Sequence, residues 1–351
     1  MTWLTWRQFR TQALAVFGGL AVLAVATVIT GLQLRQWSAG CVAPADCTGL
    51  AEAGVSRFKW LEILLRGGLL VLPAVTGMFF GAPLVARELE TGTHRMVWTQ
   101  SVSRARWLAV KVLVVGAATV LASGLLSWMT TWWFGPVDAA EIDKFVDSTF
   151  GTRDVAPMGY AAFAFAVGLT AGLLFRRVMP AMATTLVVFI AVRMVVQMIV
   201  RTRYLTPLRA SGLLDPLARG DSLKGGALIP PGSWVFGSQI FDASGNPAPN
   251  PLRFTPNDPC SATQSCLKGY TLHIEYQPWS RYWAFQWTEA GLFLAIALLL
   301  VAFCFWWING HRLPGTGPRL ASQAAPRVHD ERTGQQGAAE TKRPRLTGVD
   351  R

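Results

Sequence analysis

Six runs of about twenty or more mainly apolar residues, separated by short clusters of charge, constrain this chain more than any other feature. A hydrocarbon core of ~30 Å takes about twenty helical residues to cross. Inside it every backbone N–H and C=O must be satisfied within the protein. The runs therefore predict an all-α polytopic membrane protein with six transmembrane helices, over residues 13–34, 60–86, 107–134, 158–175, 178–200 and 282–308. Tryptophans at both ends of the last run (Trp283 and Trp287, then Trp306 and Trp307) match an aromatic belt. Internal prolines such as Pro73, Pro83 and Pro180 are tolerated where neighbouring helices satisfy the freed carbonyls.

Charge supports the same class. Charged residues make up 15% of the chain, against roughly 25% in soluble domains. The formal net charge is +12, but many basic residues flank apolar runs, where they report orientation rather than a nucleic-acid site. Arg7 and Arg10 precede the first run; Arg87, Arg95, Arg104 and Arg106 follow the second; Arg176 and Arg177 follow the fourth. The loop over residues 135–157 is acidic instead, with Asp138, Glu141, Asp143, Asp147 and Asp154 against Lys144 and Arg153. Arg35, Arg57 and Lys59 blur the pattern. The bias places both termini in the cytoplasm, which needs an even number of spans.

Four parts follow: helices 1–5 over residues 1–200 with a cytoplasmic segment at 87–111, an external loop domain over 201–281, the last helix over 282–308, and a basic, disordered cytoplasmic tail over 309–351. The external domain carries turn signals (PPGSW, SGNPAPNP, TPNDP) and a strand-like alternation over residues 271–276. This orientation puts Cys41 with Cys47, and Cys260 with Cys266, on the outside, where each pair either closes a small disulfide loop or remains as free thiols. Cys304, inside the last run, reads as a buried filler. No loop combines Cys with His at metal-ligand spacing, and the four histidines are scattered, so no metal or catalytic constellation is expected.

Residues 86–111 read ARELETGTHRMVWTQSVSRARWLAVK. Glu88 and Glu90 stand at the membrane exit, Gly92 and Thr93 offer a chain break and a capping hydroxyl, and Arg95 joins an amphipathic stretch suited to the interface. Ser103 can cap a new helix that Arg104 and Lys111 anchor. Such a stretch either passes force from a soluble partner to two helices or is an ordinary charged loop. It resembles the signature region of ABC type-2 permeases, the membrane subunits of ATP-binding-cassette exporters. The Glu-x-Glu-x-Gly-Thr element matches Glu88, Glu90, Gly92 and Thr93; the Thr-x-x-Val-Ser-Arg element matches Thr99, Val102, Ser103 and Arg104; the lysine matches Lys111. Gln100 departs from the proline often found there. The resemblance implies docking on a separate ABC-type ATPase subunit that binds the ATP and Mg, and a second permease subunit, identical or a sibling. No Gly-x-x-x-x-Gly-Lys-Ser/Thr phosphate loop occurs in the chain, so no cofactor is expected here. The cargo (a drug, a peptide or a lipid) is not ranked by the sequence.

Glu62, Arg66, Arg193 and Glu289 fall inside apolar runs, where charge is costly unless it faces protein or water. At ~1.5 Å per residue, Arg66, Arg193 and Glu289 lie roughly 10 Å below the outer surface. Glu62 and Arg66 have the spacing of a helix-face pair. Arg193 with Glu289 would complete an outer-leaflet polar cluster, either a purely structural group or an external gate. Two rival readings stay open: a secondary transporter, which predicts repeated halves and midplane carboxylates that the sequence does not display, and a non-transporting sensor or resistance subunit.

Overall fold

The computed structural model describes residues 2–38, 56–92, 103–140, 145, 147–213, 228–230, 232–248 and 269–310. Among the described residues six helices are long and apolar enough to cross a membrane. We label them α1 (Thr2–Ser38), α2 (Lys59–Glu90), α3 (Arg104–Pro136), α4 (Ala156–Phe175), α5 (Val178–Arg203) and α6 (Trp279–Gly310). All six expected spans are present, and most extend beyond the apolar runs. A helix keeps its hydrogen bonds past the hydrocarbon boundary, so loss of hydropathy does not by itself end it.

Helix α4 forms the centre: 78% of its apolar stretch is buried, against 17% for α1 and for α5. Small residues make this possible. A Cβ added at Gly77 would stand 2.6 Å from the Ala164 carbonyl oxygen, and one at Gly81 2.6 Å from that of Phe165. Facing them, a Cβ at Gly168 or Gly172 would strike the Gly77 or Ala82 carbonyl oxygen. The Gly77/Gly81 pair on α2 thus meets a second pair of the same spacing on α4, and the two backbones touch. Four threonines inside the bundle satisfy themselves locally: Thr27, Thr130, Thr170 and Thr185 each donate to the carbonyl four residues earlier.

Among the described residues three helices contain a π-helical turn: Gly77–Gly81 in α2, Val112–Gly116 in α3 and Val196–Val200 in α5. The first two meet, with Phe80 and Val115 in one apolar cluster beside Phe9 and Phe165.

Between α5 and α6 lies a four-stranded antiparallel sheet of β1 (Leu208–Leu213), β2 (Trp234–Phe241), β3 (Pro247–Ala248) and β4 (Thr271–Gln277), in the order β1-β4-β2-β3. The strand expected at residues 271–276 is β4, its central member. In the β2–β3 turn the backbone N–H groups of Asn246 and Ser244 bond Asp242 Oδ1 at 2.8 Å each and hold its carboxyl below the usual range. An aromatic cluster of Phe145, Phe150, Tyr282 and Phe285, joined by Tyr204 and Trp234, seals the sheet against the bundle.

Candidate functional site

The α2–α3 end is built from two helix termini. Helix α2 stops as Gly92 takes φ +72°, a left-handed value that glycine adopts without a Cβ penalty. Helix α3 starts at Ser103, whose backbone is extended and whose Oγ accepts from the Arg106 N–H at 3.3 Å. Arg104 opens its first turn. Thr93, Arg95, Thr99 and Val102 lie outside the described residues.

Across this gap Lys111 Nζ reaches back to Glu88 Oε1 at 2.5 Å and to the Leu84 carbonyl oxygen at 3.2 Å. The ammonium also stands 4.5 Å from the centre of the Trp107 ring. The two side chains are 5% and 15% exposed. A charge pair this sheltered gains from reduced screening, and it binds the exit of α2 to the entry of α3. Glu90 faces elsewhere: its Oε2 accepts from the Val178 N–H at 3.2 Å, at the first residue of α5. A carboxylate there satisfies an otherwise unmade helix N–H and complements the helix dipole. Through these two carboxylates the exit of α2 is tied to both α3 and α5. Of the residues read from the sequence as one motif, Glu88 and Lys111 are thus brought together at the facing ends of α2 and α3, while Glu90 is turned to α5.

At the sheet end the intramembrane charges also find partners. Glu62 forms ion pairs with Lys59 at 2.9 Å and Arg66 at 3.4 Å along α2. Arg66 and Arg153 both lie over the Phe134 ring, at 4.5 and 4.4 Å. The expected pairing of Glu289 with Arg193 is replaced by another. Both carboxylate oxygens of Glu289 are held by Arg201, Nε and Nη2 donating at 2.8 Å each, and Tyr160 Oη donates to Oε1. Arg193 instead lies 4.3 Å from the Tyr160 ring centre and donates to the Gly151 carbonyl at 3.3 Å. It therefore joins the cluster through Tyr160. Arg201 lies two turns beyond Arg193, and its guanidinium presents the fork that a carboxylate accepts in two bonds.

A second polar set pins the α3–α4 connection over this cluster. Tyr282 Oη donates to Asp154 at 2.5 Å, Gln286 donates to the Phe150 carbonyl at 3.0 Å, and the Ala156 N–H donates to Gln286 at 3.0 Å. From α3, Ser123 and Ser127 donate to the Pro157 and Asp154 carbonyls at 2.9 and 2.8 Å. Sequence reasoning missed Arg201, Tyr160, Asp154 and Gln286. The signals were a lone Gln in an apolar run and two serines four residues apart on α3.

Cys304 is buried, 3.3 Å from Thr170 Oγ1, as a filler residue would be. Cys41, Cys47, Cys260 and Cys266 lie outside the described residues. Among the described residues no group of three or more His, Cys, Asp or Glu could hold a metal ion. Comparison with curated proteins and with solved structures found no match. A protein-family model described as ABC-2 membrane transporter related matches residues 17–201 of the 351, from within α1 through α5. The chain is a multi-pass membrane protein of the transporter-permease kind, and it belongs to the ABC-2 membrane transporter related family.

Proposed function

We propose that this chain is the permease subunit of an ATP-binding-cassette exporter of the plasma membrane, powered by ATP that a separate nucleotide-binding subunit hydrolyses. The observation that carries the reading is the Glu88–Lys111 pair, which ties the ends of α2 and α3, the two helices that residues 93–102 connect, into one unit. A soluble motor gripping those residues from the cytoplasm pulls on both helices together. Glu90 passes the pull to α5, and the close glycine contacts carry it from α2 to α4. Helices packed backbone to backbone move as bodies rather than bend. ATP and Mg belong to the motor, and a second permease copy or sibling completes the transporter. At the other end, the Arg201–Glu289–Tyr160 group serves as an external latch. Among the described residues no observation favours the secondary-carrier or the sensor reading.

Co-expression with an ABC-type ATPase subunit tests this. The ATPase is expected to co-purify with the full chain, and replacing residues 93–102 by a Gly/Ser linker of equal length is expected to abolish co-purification while the chain stays monodisperse. Retention of the ATPase by the linker variant would overturn the docking assignment.

A further inference from the structure

A cleft of about 450 Å³ opens beside the Glu88–Lys111 pair, between α1, α2 and α3. It lies where the π turns of α2 and α3 meet, and a π turn widens a helix enough to leave such a gap. Its floor is apolar: Phe79, Phe80, Leu84 and Phe9, with Phe9 set edge-on against Phe80 at 5.2 Å between centroids. Gln12 and Arg87 stand at its rim, both exposed. The charge balance there is specific. Glu88 also lines the cleft, but Lys111 neutralises it. Arg87 makes no ion pair among the described residues. The site therefore offers one uncompensated guanidinium and one amide above an apolar floor, at the depth where α1 and α2 pass the ends of their membrane-spanning stretches, Phe9 and Glu90.

The geometry points to a binding site for an anionic amphiphile from the adjoining leaflet: a phosphate or carboxylate on Arg87 and Gln12, with the upper methylenes of its apolar body on Phe79, Phe80 and Leu84. A guanidinium takes such an anion in a two-pronged hydrogen bond, and the apolar floor excludes a bare, fully hydrated ion. The assignment does not depend on the ATPase reading, because occupancy needs no nucleotide.

Native mass spectrometry of the full chain in detergent tests it, with phosphatidylglycerol and phosphatidylcholine of identical chains as probes and glycerol 1-phosphate as the soluble anion. Wild type is expected to prefer phosphatidylglycerol about fivefold, the effect of one basic residue on an anionic lipid. Arg87→Gln is expected to erase that preference, Arg176→Gln, at the same end but off the cleft, to keep it, and Phe79→Ser to weaken both lipids. Equal binding of the two lipids by wild type, an unchanged preference in Arg87→Gln, unaltered binding in Phe79→Ser, or competition by glycerol 1-phosphate at lipid-like concentration would each overturn the assignment.

Discussion

Glu289→Ala is expected to destabilise the protein by about 3–5 kcal/mol, the cost of leaving a buried charge without its partner. Arg201 and Glu289 have side chains only 2% exposed, so water does not take over when the carboxylate goes. The loss removes both bonds to the guanidinium fork and the one from the Tyr160 hydroxyl together. Thermal unfolding of the purified chain in detergent reads the change. Arg201→Met combined with Glu289→Leu removes both charges at similar volume and is expected to recover most of the stability, because such pairs are often replaceable by apolar side chains. Exchanging the charges of Arg193 and Glu289 is expected to restore nothing, since Arg193 sits on the Tyr160 ring and the carboxylate belongs to Arg201. Recovery by that exchange, or a loss below about 1 kcal/mol in Glu289→Ala, would show that the pair is not buried as described.

The second large effect is expected from Glu88→Ala, at about 2–3 kcal/mol, the range of a charge-assisted hydrogen bond lost at a sheltered site. It is smaller than the first because Glu88 is 15% exposed and Lys111 keeps the Leu84 carbonyl. Its consequence is local. The α2 exit and α3 entry lose their tie, so hydrogen exchange should rise over residues 84–92 and 103–111 and stay unchanged at β2 and β4. Co-purification of the ATPase subunit should fall even where the chain remains folded. Uniform exchange across the bundle would mean that the pair stabilises the fold without organising this end.

The helices were legible because hydropathy over about twenty residues is a physical requirement of the bilayer, not a statistical preference. The central strand was legible from alternation at residues 271–276, but its pairing with both β1 and β2 joins residues far apart in sequence, which local pattern does not encode. The segment from Glu88 to Lys111 announced its residue types, and the structure adds what spacing alone lacked: Lys111 faces Glu88 while Glu90 turns to α5. At the sheet end the opposite happened. Glu289 and Arg193 stood out because they interrupt apolar runs, whereas Arg201, at a run's edge, looked like one more flanking basic residue. Arg153 and Asp154 likewise read as loop charges. The structure buries Arg153, and Asp154 takes the Tyr282 hydrogen bond, because the α3–α4 connection folds back over the bundle.

The most direct test concerns which side of the membrane the α2–α3 connection occupies. Thr91 and Ser244 are exposed, at the α2 exit and in the β2–β3 turn. In a chain with its loop cysteines changed to serine and Cys304 to alanine, Thr91→Cys and Ser244→Cys can be challenged with a membrane-impermeant maleimide. Intact cells are expected to label position 244 only, and inverted vesicles position 91 only. Labelling of position 91 on intact cells would put the connection beyond the reach of any cytoplasmic motor and contradict the proposed coupling.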